Sequence, residues 1–434
     1  MRLQKDLNEL IEAQIISPEI AGRINDYYQR KSPESNNRMF IAFGILGAIL
    51  VGLGIILILA HNWDDLSRPL KLFFAFLPLL IGQGFCGYTI LKKYESTAWR
   101  ESTAVFLVFA VGSSIALVSQ IYNIPGDMSS FLLTWLLLCL PMIYIMRSSF
   151  VSLLYLAGVT WYACDTGYGH QEKISYWYYW PLFLAAIPHY YLLYKNKPES
   201  NFMTFHNWLV PLSLIITLGT LAVADGELMF IAYISLFGIF YLIGNFTFLK
   251  NQSLFRNGYR VLGAFGTVVL LLVLSFNDMW KDLRGDFFNT NIDEVSNTFY
   301  TAPEFWIAII LTLLAGVFLF RQLQKQSLRD IEPIAPVFLL FFIIFFIGMY
   351  SPIAAILINL LVFAIGLLTI RKGGNENHLG ILNYGLLVIT ALTICRFFDT
   401  DLSFVWRGIL FVAVGLGFFL TNYWMLQKRK ENEL

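Results

Sequence analysis

The sequence predicts an all-α, polytopic integral membrane helix bundle of about fourteen transmembrane helices, preceded by a short cytoplasmic helical hairpin. Three observations predict it: the composition, the length of the apolar runs, and the placement of the basic residues. Of 434 residues, 57% are hydrophobic and only 14% are charged, and the mean hydropathy is +0.63. A soluble domain is about half apolar and a quarter charged, so this chain carries more apolar surface than one aqueous core can bury. That balance excludes a soluble enzyme and a disordered chain. The formal net charge of +1 provides no global field to attract nucleic acid.

A helix crossing the hydrocarbon core needs about 20 mostly apolar residues. The first seven stretches that fit are Met39–Ala60, Pro69–Leu91, Thr103–Ile121, Ser130–Met146, Ser149–Cys164, Trp177–Tyr194 and Phe205–Val223. The second seven are Met229–Phe248, Tyr259–Ser275, Glu304–Phe320, Pro333–Tyr350, Ile353–Ile370, Leu379–Cys395 and Phe404–Met425. Only Arg147 and Ser148 join the fourth to the fifth, which reads as a tight hairpin or one broken helix.

Basic residues test this count, because cytoplasmic loops are enriched in Lys and Arg. With the amino terminus inside, 23 of the 30 basic residues fall on inner segments and 7 on outer ones. The acidic residues divide 14 inside and 15 outside, so the two sides carry net charges of +9 and −8. A miscounted span would scramble this alternation over part of the chain.

Three parts follow: a cytoplasmic amphipathic hairpin over 1–38, the transmembrane bundle over 39–425, and a charged cytoplasmic tail over 426–434. Residues 1–38 lack the early apolar region of a cleaved signal peptide, so the first span is expected to act as an uncleaved insertion signal. In the hairpin, Leu3, Leu7, Leu10 and Ile11 repeat at helical spacing. Ser17-Pro18 then fits an N-cap followed by proline at the first helical position. Two helices of this size bury little surface alone, so they are expected to lie on the membrane or on a cytoplasmic partner. The longest outer loop, Asn277–Ala302, interleaves Trp280, Leu283, Phe287 and Phe288 with acidic residues, the pattern of a short helix in the interface.

The chemistry-bearing motifs are few. No span holds Asp or Glu in its central part, which disfavours a pump driven by a mid-membrane carboxylate. His189, beside Tyr190 and Tyr191, reads as a hydrogen-bonded structural group. Cys86, Cys139, Cys164 and Cys395 lie in or at the ends of spans without C-x-x-C spacing, so neither a disulfide framework nor a metal site is expected. No zinc-protease, phosphate-loop or nucleophile-elbow signature is present, and no cofactor is expected. Gly44, Ala48 and Gly52 share one face of the first span, and Ala413 and Gly417 recur likewise in the last, which permits close helix approach.

Two polar segments stand out at outer span ends: His61-Asn62-Trp63-Asp64-Asp65-Leu66-Ser67-Arg68 and Gln120-Ile121-Tyr122-Asn123-Ile124-Pro125-Gly126-Asp127. With the Leu-rich hairpin and the Gly-rich first span, these segments resemble the bacterial membrane proteins catalogued as domain of unknown function 2157, over about residues 1–150. The resemblance implies the architecture and brings no mechanism, since that family has no established activity. From the residues, Trp63 and Tyr122 suit the headgroup belt, and Gln120 needs a polar partner at that depth. Asn62, Trp63, Asp64, Gln120, Tyr122 and Asp127 are the candidate substrate-binding residues, expected to meet in one outer-facing cluster. Asp165, His170 and Asp399 are possible additions to its rim. The bland alternative is two helix ends tied together by polar contacts.

Nearly all of the chain is invested in the membrane, which favours a transporter or flippase-like protein of the bacterial inner membrane, moving a small or lipid-linked solute. The rival readings are a membrane-embedded enzyme acting on a lipid-linked substrate at the outer face, and a non-catalytic scaffold or sensor. The topology is directly checkable. A cysteine at Ser296 should react with a membrane-impermeant thiol reagent in intact spheroplasts and one at Ser327 should not; reversed labelling would overturn the span assignment.

Overall fold

A computed structural model of the chain describes residues 13–31, 42–51, 66–168, 176–222, 226–246, 252–289, 302–325, 332–376 and 378–399, with scattered positions elsewhere. The described residues form helices joined by turns and short connections and contain no strand. In chain order the helices are α1 (Pro18–Lys31), α2 (Ala42–Val51), α3 (Arg68–Lys92), α4 (Thr97–Tyr122), α5 (Met128–Ile145), α6 (Ser149–Tyr168) and α7 (Tyr179–Asn196). They continue as α8 (Asn201–Leu218), α9 (Met229–Gly244), α10 (Gly258–Val273), α11 (Asn277–Asn289), α12 (Pro303–Leu323), α13 (Val337–Tyr350), α14 (Ala354–Asn375), α15 (Leu379–Phe397) and α16 (Arg407–Gly417). The chain is a membrane protein of apolar helices. Among the described residues each expected span overlaps one of these helices, the first and last only in part, and α1 and α11 fall outside the expected spans.

Among the described residues, 8 helices are long and apolar enough to cross a membrane, or 9 if the bent pair α10–α11 counts as one span. The differences from fourteen have physical causes. The helix α6 is 20 residues long and α7 is 18, but Tyr, Trp, Asp and Lys side chains make both less apolar than the eight. Helix α13 is intensely apolar yet only 14 residues long. The first and last expected spans are described only in part, over Ala42–Val51 and Arg407–Gly417, so their full lengths lie outside the described residues. Pro78, Pro141 and Pro188 lie inside continuous helices and end none of them.

At the amino terminus, the Ile20 amide donates to Ser17 Oγ at 3.3 Å and the Ala21 amide to Ser17 O at 3.0 Å. Ser17 is therefore the cap that the Ser-Pro signal predicts.

The chain divides into two compact units, residues 1–166 with 172–198, and residues 167–171 with 199–434. In the first, α3 and α4 are antiparallel and joined by small polar side chains. Ser114 Oγ donates to Ala75 O at 2.6 Å, and Thr89 and Thr103 hydroxyls meet at 3.3 Å. The α5–α6 pair is a tight hairpin, since Gly158 abuts Leu136 and Ser129 Oγ donates to Asp165 Oδ2 at 2.7 Å. Gly44 of α2 lies against Ser102 of α4, where an added Cβ would sit 2.5 Å from the hydroxyl. The first span thus approaches the third on its small-residue face.

In the second unit α9 is the most enclosed of the eight candidate spans. It packs on α10 with so little separation that a Cβ at Gly263 would lie 2.5 Å from the Tyr241 nitrogen. Asn257, 1% exposed, accepts from the Arg260 amide at 3.1 Å and donates to Gly244 O and Leu249 O at 2.8 and 3.0 Å. One amide side chain therefore caps α10 and closes the connection from α9. Beyond α10 the chain bends by 81° into α11, and a helix does form where the acidic-aromatic pattern leads one to expect it. Trp280 fixes the bend: it is fully buried, and its indole donates to Leu274 O at 2.7 Å. Only glycine at position 348 leaves room for that ring, because a Cβ would stand 2.2 Å from it.

Candidate ligand groove

The groove lies in the first unit, between α3, α4 and α5. Trp135 on α5 sits against Gly112 of α4 and donates its indole N–H to Val108 O at 2.8 Å. This wide side chain acts as a spacer between the two helices. At the end of α4, Asn123 adopts a left-handed backbone (φ 50°), which asparagine tolerates better than most residues. Ile124 N then donates to Ser119 O at 2.9 Å, and Ser119 Oγ returns a bond to Ile124 O at 3.1 Å. After Pro125 and Gly126, Asp127 caps α5 by accepting from the Ser130 amide at 2.8 Å. Residues 123–127 thereby form a braced lip across one end.

Beneath the lip is a cavity of about 780 Å³, within the size range of ligand sites. Its wall near the lip carries Ser119, Asp127 and Ser130, whereas Phe76, Leu107, Leu138 and Met142 line it further along the helices. The hydroxyls of Ser114 and Thr134 also face it, but each already donates to a backbone carbonyl, at 2.6 and 2.8 Å. Gln83 differs from them. It lies on the wall, exposed, and its amide makes no hydrogen bond among the described residues. Fifteen residues separate it from Arg68 at the start of α3, a rise of about 22 Å along the helix at 1.5 Å per residue. An unpartnered amide at that depth in a span is costly.

The structure brings together only part of the expected cluster. Asp127 is on the lip and lines the groove. Gln120 and Tyr122 are exposed on the last turn of α4 but are absent from the groove wall. Gln120 has no side-chain partner among the described residues. Asn62, Trp63 and Asp64 lie outside the described residues, as does His170. Of the suggested rim residues, Asp165 accepts from Ser129, and Asp399 is ion-paired with Arg396. His189 is buried and within 3.3 Å of Ser149 Oγ, as a structural histidine should be. All four cysteines are free, and no group of three or more metal-binding side chains occurs among the described residues.

Two features escaped the sequence reading. Gln83 sits alone in an otherwise apolar stretch, and that isolation was the available signal. Glu101 precedes the expected third span, but α4 starts six residues earlier than that span and carries Glu101 to 2% exposure. Its carboxylate accepts from the Ser149 amide at 2.9 Å, the Phe150 amide at 3.0 Å, and the Ser148 hydroxyl. A side chain of α4 thus caps the amino terminus of α6, which begins directly after the hairpin turn. Its donors lie 47 to 49 residues away, so no local pattern could reveal the contact.

Residues 8–152 match the sequence family described as predicted membrane protein (DUF2157). That is about a third of the chain, and it contains every residue of the groove wall. No curated protein and no solved structure matches the chain.

Replacing Glu101 with Ala should strand buried N–H donors at the start of α6. At roughly 1–3 kcal/mol for each unsatisfied group, the loss should lower the thermal midpoint in detergent by far more than Asp127→Ala, an exposed cap worth about 1 kcal/mol. Equal midpoints for the two variants would contradict this role.

Proposed function

We propose that the groove binds an amphiphile, a lipid or lipid-linked solute, and that the protein moves it across the bacterial inner membrane in the manner of a flippase. The observation that carries this reading is the order of groups along the groove. Hydroxyls and a carboxylate stand at the lip, aliphatic and aromatic side chains lie beyond, and the unpartnered Gln83 amide lies on the far wall. A headgroup finds hydrogen-bond partners at the lip while an acyl chain replaces hydrocarbon contacts below it. For a headgroup passing through the bilayer, Gln83 offers a polar stop that lowers the cost of leaving water. The basic-residue asymmetry supports both termini in the cytoplasm, which puts the lip on the outer face. The candidate substrate residues at that face remain Asn62, Trp63, Asp64, Gln120, Tyr122 and Asp127, with Asp127 the one placed on the groove wall.

The test uses proteoliposomes containing the full chain and a fluorescent phospholipid that dithionite bleaches only in the outer leaflet. Protein-free vesicles lose about half the signal. Wild-type vesicles should lose more, and Gln83→Leu, which removes the stop, and Ala116→Trp, which fills the groove from its α4 wall, should return the loss to the protein-free level. Bleaching by wild type that never exceeds the protein-free level, with phospholipids of neutral and anionic headgroups alike, would overturn the proposal.

A further inference from the structure

The end of the first unit opposite the lip carries a second arrangement, independent of the groove. We propose that Tyr94, Arg100 and Arg147 form a binding site for a phosphate group, either on a lipid headgroup or free in solution.

The two guanidiniums converge on one ring: Arg100 Cζ lies 5.5 Å and Arg147 Cζ 5.6 Å from the centre of Tyr94. Tyr94 is itself held by a hydrogen bond from its hydroxyl to Ile145 O at 3.4 Å. Two like charges gathered around one aromatic ring repel each other, and an anion bound beside them offsets that repulsion. Yet neither arginine makes an ion pair among the described residues, and Arg100 Nε is buried without a partner. The adjacent carboxylate, Glu101, spends its oxygens on Ser148, Ser149 and Phe150. The remaining charges nearby along the chain are Lys92, Lys93 and Glu95, all exposed, so cations outnumber anions by four to two.

The backbone at Arg147 is a separate observation. It has φ 46°, in the left-handed region that disfavours a residue with a Cβ. Glycine would relieve the turn between α5 and α6, so an arginine there costs stability that only its side chain can justify. The turn is pinned by Ser148 N donating to Ile143 O at 3.2 Å and Arg147 N to Tyr144 O at 3.3 Å, which fixes where the side chain leaves the backbone. Paired guanidiniums match phosphate oxygens in geometry and charge. Tyr88 and Trp99, exposed and 5.5 Å apart, add the aromatic belt of a membrane interface. Basic clusters at such a belt bind anionic headgroups.

The experiment follows the thermal midpoint of the full chain in a neutral detergent by intrinsic tryptophan fluorescence. Dioctanoyl phosphatidic acid should raise the midpoint, and dioctanoylglycerol, which lacks the phosphate, should not. Inorganic phosphate alone distinguishes the sources: an equal shift identifies a soluble phosphate compound, and no shift identifies a lipid headgroup. Arg147→Gly should keep the unliganded midpoint at or above that of wild type while weakening the response about five-fold. Arg100→Gln should weaken it similarly, and Arg147→Gln replaces Arg147→Gly if that variant fails to fold. A wild type that responds to neither phosphatidic acid nor phosphate, or variants that respond as wild type does, would overturn the site.

Discussion

Hydrocarbon contains no water, so every polar group that enters it must be satisfied by the chain itself. The packing of this protein follows from that constraint. Where a helix must start inside the bundle, a side chain from elsewhere covers its free N–H groups. Glu101 of α4 does this for α6, and Asn257 does it for α10 while also holding Gly244 O and Leu249 O. Where hydroxyls face a neighbouring helix, they find carbonyls or each other, as Ser114 and the Thr89–Thr103 pair do. The exceptions then become informative. Among the described residues of the first unit, Ser113 Oγ, Tyr155 Oη and Arg100 Nε are buried without a hydrogen-bond partner and Gln83 makes no hydrogen bond. Of these groups, Gln83 and the arginine pair of Arg100 with Arg147 are the ones assigned a ligand.

The second unit obeys the same constraint around a bend. The chain leaves α10, turns by 81° and lays α11 across it. Turning there frees backbone groups, and the structure recovers them: Trp280 binds Leu274 O and Asn359 binds Ser275 O at 2.9 Å, while Arg396 holds the Ser275 side chain by its Oγ at 2.9 Å. Arg284 closes the far side on Gly348 O and Ser351 O, each at 3.2 Å. The bend is thus a built corner, with Gly348 kept small so that Trp280 can fill it.

Much of this was legible in the chain. Apolar length located the apolar helices among the described residues, because hydropathy over about 20 residues is dominated by the bilayer. The Ser17-Pro18 cap and the amphipathic run after Asn277 follow from local rules, and both helices are there. The candidate site was less legible. Sequence reasoning chose Gln120, Tyr122 and Asp127 because they are polar at a span end, and of these only Asp127 lines the groove. Which side of a helix faces a cavity depends on neighbours such as Trp135 against Gly112, and hydropathy does not encode it. The hydrophobic pattern is nearly uniform around α4, so it gives no direction. Glu101 was hidden for the same reason, its donors being set by tertiary packing alone.

The central claim is that the space between α3, α4 and α5 is a ligand groove and not a gap that the bundle closes in the bilayer. Imaging the full chain by electron cryomicroscopy in discs cut directly from its native membrane tests this most directly. The account predicts elongated density between Phe76, Thr134 and Leu138, with its polar end at Ser119, Asp127 and Ser130. Helices α3 and α5 packed side chain to side chain across an empty, collapsed groove would contradict it.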